Sequence, residues 1–132
     1  MIEINNVVHS RVDQHFLQKV GRQVLAKEKQ KNKNFSVALV GEERMRELNW
    51  IYRRVDRSTN VLSFPMKEFG LGELVLCPAT IRKDAAKYGI TFKAELHRIF
   101  IHGLLHLLSY DHESSKDFKK MSLKEKRYSS FV

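Results

Sequence analysis

The stretch VLSFPMKEFGLGELVLC, residues 61–77, decides how the rest of the chain is read. It holds two short apolar runs, VLSF (61–64) and ELVLC (73–77), separated by Pro65 and the GLG of residues 70–72. Proline cannot donate to a sheet ladder and stops the first run; the glycines supply a turn that feeds the second. Two strands joined so directly predict a hairpin, because a parallel pair needs a crossover of a dozen or more residues. Working back toward the amino terminus, the Arg-rich segment 52–60 breaks periodicity, and Met45, Leu48 and Tyr52 mark a helix over residues 42–52. FSVALV (35–40) alternates apolar and polar residues as a strand does, and MIEIN (1–5) reads as a short first strand. Between them, residues 11–29 set Val12, Phe16, Val20 and Val24 at steps of four, one apolar stripe on a polar helix that the basic KEKQKNKN (27–34) ends. Toward the carboxyl terminus, Pro78 suits the first turn of a helix with Ile81, Ala85 and Tyr88 on its face and Gly89 at its end. Thr91 is placed to cap the next helix, Glu95 lies in its first turn, and residues 96–108 are apolar nearly all round, which predicts burial. Residues 114–117 read as a capping box for a last helix carrying Phe118, Met121 and Tyr128. The expectation is one α+β domain over residues 1–132, a four-stranded mixed β-sheet packed with about five helices.

Composition bounds the function classes. A chain of 132 residues suits one domain, and at this size a core forms without disulfides. Cys77 is the only cysteine, so no intrachain disulfide exists and a reducing cytoplasm is the expected location. No apolar run approaches the roughly 18 residues of a membrane span, and MIEINNVVHS, with Glu3 and no long apolar stretch, does not read as a secretory signal. Lys and Arg number 24 against 15 acids, a net charge of +9. Such a field draws in polyanions, nucleic acid first among them.

The chemistry concentrates in HGLLHLLSYDH, residues 102–112. His102 and His106 are four apart, so on a helix they stand on one face, one turn apart, and their imidazoles converge. His112 follows six residues later, far enough for the chain to turn and bring a third imidazole to the same point. This is the His spacing of zincins, and three neutral imidazoles with a vacant fourth position make a catalytic rather than a structural zinc site. Random placement of six histidines in 132 positions produces the pattern about 0.01 times, so chance is a poor explanation. The expectation is a zincin-like metal-site helix holding one zinc, or another divalent transition metal. Gly103 occupies the position where zincin proteases carry their general-base Glu, which argues against peptide hydrolysis by that route and leaves room beside the metal for a bulkier substrate. Ser109 stands where a left-handed turn favours glycine. Asp111 is placed either to accept a hydrogen bond from a ligand imidazole or to cap the turn. His97 points away from His106 on the helix, His9 and His15 read as surface or packing residues, and Cys77 reads as a small apolar residue at a strand end.

Upstream, ELNWIYRRVDRSTNVLSFP (47–65) is rich in Arg, Asn, Ser and Thr. Arg53 or Arg54 facing the metal would oppose the charge that develops on phosphoryl oxygens during phosphodiester cleavage. Lys27, Lys29, Lys31 and Lys33, with Lys116, Lys119 and Lys120, are candidates for contacts to an RNA backbone.

These motifs together resemble the YbeY family of bacterial endoribonucleases. HGLLHLLSYDH is similar to the family's H-G-x-L-H-L-x-G-Y-D-H, departing from it at Ser109. Leu48, Asn49, Tyr52, Arg53, Asp56, Thr59, Asn60 and the VLSFP of residues 61–65 match a second block, and Gly72, Glu73, Leu74 and Leu76 match a third. Met121 and Glu125 also sit where relatives carry Met and Glu, whereas relatives often have His where this chain has Arg98. The resemblance runs from about residue 45 to 127. It implies His102, His106 and His112 as zinc ligands and Arg53 as the essential residue that is not a ligand. It further implies endonuclease action on single-stranded RNA, in maturation of the 16S rRNA 3′ end and in ribosome quality control. The partners it implies are 16S rRNA and the small ribosomal subunit, with an Era-type GTPase as a protein partner and no membrane. Two rival readings use the same ligands: an RNA-binding assembly factor that the metal merely staples, and a metalloprotease.

Overall fold

The 61–77 stretch forms the expected hairpin at one edge of a mixed sheet. The computed structural model describes residues 2–66, 70–108 and 115–128, and of residues 115–118 the backbone only. Strands β1 (Ile2–Asn6), β2 (Phe35–Leu39), β3 (Val61–Pro65) and β4 (Gly72–Leu76) pair in the order β1-β2-β4-β3. β1, β2 and β4 are parallel; β3 alone runs antiparallel, with Leu62 opposite Val75 and Phe64 opposite Glu73. The described residues form five helices, α1 (Gln14–Lys27), α2 (Glu42–Arg53), α3 (Pro78–Tyr88), α4 (Phe92–Leu107) and α5 (Ser115–Tyr128). The fold is the α+β arrangement that the sequence predicts. None of these helices is long and apolar enough to cross a membrane.

The boundaries that move do so for local reasons. α1 begins at Gln14 rather than near residue 11, because the Asp13 carboxylate accepts the Phe16 backbone N–H at 3.0 Å and caps the helix there. Val12 therefore lies outside the helix, yet still packs on the core. Pro65 ends β3 within the ladder, opposite Gly72, instead of stopping it one residue earlier. An edge strand tolerates proline because one side of it needs no donor. Cys77 leaves β4 to become the N-cap residue of α3, with Pro78 at the start of the helix.

Period-two alternation in the central strands divides the core. Val37, Leu39, Leu74 and Leu76 face α1 and α4, where Leu17, Val20, Phe100 and Leu104 are fully buried. Val75 and Leu62 face the other way, against Met45 of α2. The polar segment after α2 is sewn to α3 and β4. Asn49 donates to the Arg57 carbonyl at 2.9 Å, the Cys77 N–H to the Asn60 carbonyl at 3.0 Å, and the Ser58 and Thr80 hydroxyls share a hydrogen bond of 2.9 Å. Arg46 grips Asp56 at 2.7 and 3.1 Å. Much of the polarity in residues 49–60 thus braces the chain itself.

α4 is the central helix, in contact with α1, α3, α5, β3 and β4. Gly103 marks its closest approach to the sheet. A Cβ there would lie 2.9 Å from Val61 Cγ2, closer than real Cβ contacts come, and 3.0 Å from Leu74 Cδ2, tighter than most, so both side chains would have to shift. The reading of Gly103 as space beside the metal for substrate is therefore corrected: the space is filled by β3 and β4, and the missing side chain lets the helix close on them. The Ser63 hydroxyl completes the contact, donating to the Gly103 carbonyl at 3.1 Å. Gly103→Ala should destabilise the fold by about 1–3 kcal/mol, as overpacked cores do. Urea denaturation checks this, and an unchanged midpoint would show that the hairpin yields freely.

Candidate active site

α4 buries nearly every side it has, and its one polar stripe runs through Glu95, Arg98, His102 and His106 at helical spacing. The first pair is a fork. Arg98 Nε and a terminal guanidinium nitrogen donate to the two carboxylate oxygens of Glu95 at 2.8 and 2.9 Å. Glu95 is wholly buried, and this fork satisfies both of its carboxylate oxygens. The hydrogen bond to Glu95 raises the Arg98 pKa further above its ordinary value, with weaker attraction from Tyr88 and Glu125 in the same direction. In the structure Glu95 thus does more than sit favourably in a first turn: it is the buried member of an ion pair whose Arg98 side is half exposed.

Two turns of helix further on, the imidazoles of His102 and His106 converge. Their ring centroids are 4.8 Å apart at an interplanar angle of 70°, and their Nε2 atoms lie 3.2 Å from each other. Two nitrogens bound at about 2.0–2.1 Å to one tetrahedral ion stand about 3.3 Å apart, so the spacing and the donor chemistry fit a shared zinc. Nδ1 of His102 faces Glu125 Oε2 of α5 at 3.3 Å. A carboxylate there favours the proton on Nδ1 and leaves the lone pair on Nε2, the side turned toward His106. α5 is itself anchored at the end of α1, where the Tyr128 hydroxyl and Lys124 Nζ both donate to Glu28, the latter at 2.8 Å. His112 and Asp111, the expected third ligand and its neighbour, lie outside the described residues, as does Ser109. Among the described residues no group of three His, Cys, Asp or Glu forms a metal site.

The histidine pair opens into a cleft of about 540 Å³, lined also by Tyr52, Arg53 and β3. Arg53, the last residue of α2, is solvent-exposed on that wall. Arg54 is not among the lining residues. It takes the left-handed conformation (φ 59°) that ends α2, and its guanidinium lies 5.6 Å from the centre of the Trp50 ring. The lysine candidates are dispersed. Lys27 and Lys29 are exposed where α1 ends, and Lys31 and Lys33 line a separate cavity with Ile2 and Arg22, by the β1 edge opposite β3. Lys119 and Lys120 are exposed on α5, and the Lys116 side chain lies outside the described residues.

The histidines that the sequence sets aside stay apart from the cleft. His97 is buried edge-on against Phe16, with ring centroids 5.4 Å apart. Burial, and secondarily the charge of Lys93, push its pKa below the ordinary histidine value. His9 and His15 are exposed. Cys77 is buried beside the Ser58 and Thr80 hydroxyls. Sequence reasoning assigned no role to Glu125, which lies 23 positions from His102; only its place in the family pattern marked it.

A family model described as Endoribonuclease YbeY matches residues 3–131. The Endoribonuclease YbeY of Thermotoga maritima is 44% identical over 95 residues, 70% of this chain and 63% of that protein. In this match the chain spans just under two thirds of the relative's length, as it does with the counterpart from Thermotoga neapolitana, 41% identical over 98 residues, 74% of this chain and 66% of that protein. The Endoribonuclease YbeY of Sulfurihydrogenibium sp. is 35% identical over 127 residues, 91% of this chain and 84% of that protein. The solution structure of the Thermotoga maritima protein TM1509 superposes with a TM-score of 0.74 at 37% identity, covering 98% of this chain and 87% of that one.

Glu125→Gln keeps the shape of the side chain and removes its charge. Zinc affinity should fall about 10- to 100-fold, as when a second-layer partner of a ligand is lost. Competition against a chromophoric chelator measures this, and an affinity equal to wild type would remove Glu125 from the site.

Proposed function

The chain belongs to the YbeY family, and from that premise we propose that it is a metal-dependent endoribonuclease that cuts single-stranded RNA. The observation that carries the proposal is the pair of Nε2 atoms 3.2 Å apart, opening into the cleft that Arg53 lines. His102, His106 and His112 would hold one zinc, or another divalent transition metal, with one coordination position left for substrate. Bound there, the ion supplies Lewis acidity for attack on a phosphodiester.

The protein's own residues account for the rest. Arg53 is always charged and presents a planar fork matched to two phosphate oxygens, so it orients the phosphodiester and opposes the negative charge that grows during cleavage. Arg53 is exposed and so hydrated when no RNA is bound; RNA filling the cleft excludes that water and strengthens the contact. Glu125 keeps the His102 ring turned inward. The net charge of +9 draws the polyanion to the surface before any specific contact forms. Asp111, if it turns toward a ligand imidazole, would act on that ligand as Glu125 does on His102.

The biological setting in this reading is the cytoplasm, in maturation of the 16S rRNA 3′ end and in ribosome quality control. The partners are 16S rRNA, the small ribosomal subunit and an Era-type GTPase. The relatives' shared name, Endoribonuclease YbeY, supports the nuclease activity, and the basic surface supports an RNA partner.

His106→Ala should release metal and abolish cleavage, whereas Arg53→Ala should retain metal and lower kcat by about 100-fold or more. Metal analysis of the purified proteins beside a fluorescent RNA-cleavage assay separates the two. Full activity in a metal-depleted His106→Ala protein would overturn the assignment.

A further inference from the structure

A second concavity, about 530 Å³, opens between α2 and the face of the sheet that α2 only partly covers. Its walls are mostly apolar, Leu48, Val75, Tyr52, Phe64 and Pro65 among them, with Arg44 and Glu73 as the charged lining residues. Tyr52, Phe64 and Pro65 also line the histidine cleft, so a single wall separates the two. Tyr52 is 63% exposed, although its ring packs edge-to-face on Phe64 with centroids 4.8 Å apart. It is a rigid aromatic side chain with most of its surface bare, on the residue next to Arg53.

We propose that this groove is a nucleobase subsite, in which a base of single-stranded RNA stacks on Tyr52 while its phosphate lies at Arg53 in the neighbouring cleft. The inference rests on the endoribonuclease reading and adds to it how the strand is gripped. Charge allots the two halves of the nucleotide. The cleft presents the Arg53 guanidinium and takes the phosphate; the groove's two charged groups offer a phosphate less, because Arg44 is already paired with Glu47 at 3.2 Å and the Glu73 carboxylate, hydrogen-bonded by Ser36 at 2.9 Å, repels it. An apolar, aromatic-walled space suits a base, and stacking on an aromatic ring tolerates any base because each has a π-face. A paired base cannot enter, so the subsite selects single strands. A protein partner would also fit an apolar groove, but the wall of Tyr52, Phe64 and Pro65 that the groove shares with the Arg53-lined cleft favours the nucleotide.

The test uses metal-loaded protein and a fluorescein-labelled single-stranded RNA decamer, with binding followed by anisotropy and cutting followed on the same samples. Tyr52→Ala should weaken binding about tenfold, whereas Tyr52→Phe, which keeps the ring, should stay within about twofold of wild type. Replacing successive nucleotides with abasic ones should reveal one position at which the wild type and Tyr52→Ala bind alike. Equal affinity of Tyr52→Ala and wild type for the intact decamer, with cutting retained, overturns the subsite, gives the groove to a protein partner and leaves the nuclease reading standing. Binding that depends on the Tyr52 ring without any cutting supports the subsite and overturns the nuclease. A wild type that binds no RNA overturns both.

Discussion

The close contact between α4 and the β3–β4 hairpin at Gly103 is the constraint on which the site depends. His102 and His106 flank that glycine, so the depth at which the helix settles on the sheet sets the height of both rings above β3. A helix this apolar is driven into the core by burial, and any bulk at position 103 would hold it off Val61 and Leu74. The Ser63 hydroxyl then locks strand to helix through the Gly103 carbonyl, linking the floor of the cleft directly to the segment that carries the histidine pair. Packing and chemistry are here the same contact.

A buried helix with a polar stripe must satisfy that stripe, and this chain does so from two sides. Arg98 answers Glu95 within α4, and Glu125 answers His102 from α5. The second answer needs α5 held in place. Its anchor lies at the end of α1, where Lys124 and Tyr128 meet the nearly buried carboxylate of Glu28. Lys124 is adjacent in sequence to Glu125, so the helix that orients the His102 ring is tied down one residue away. A carboxylate remote from the cleft thereby bears on its geometry through a single rigid element.

What the sequence reveals depends on how far apart the participants are. The i, i+4 histidines are legible because helix geometry alone brings them together, and the hairpin is legible because its two strands are sequence neighbours. Helix burial over residues 96–108 follows from composition. The meaning of Gly103 is not local: its contacts are Val61 and Leu74, some 30 to 40 positions away, and without them its small size reads as vacancy rather than as close packing. Glu125 escapes for the same reason, since nothing near it marks the ring it faces. Charge is legible in total but not in placement: the six candidate lysines whose side chains are described fall outside the cleft lining, whereas Arg53 is part of it. His112 and Asp111 lie outside the described residues, so of the three expected ligands the structure shows only the converging pair His102 and His106.

Arg53 owes its place to the residues around it more than to its own contacts. α2 ends because Arg54 adopts a left-handed conformation, which costs a non-glycine residue about 1 kcal/mol, and the contact of its guanidinium with Trp50 offsets part of that. The reversal sends residues 55–60 back along α3, where Asn49, Asp56, Ser58 and Asn60 are each held by a named partner. That path delivers Val61 to the edge strand beneath the histidines. The end of α2, the strained reversal and the braced return together set Arg53 opposite the imidazoles. A segment whose composition suggested several functional groups is better understood as a support that presents one.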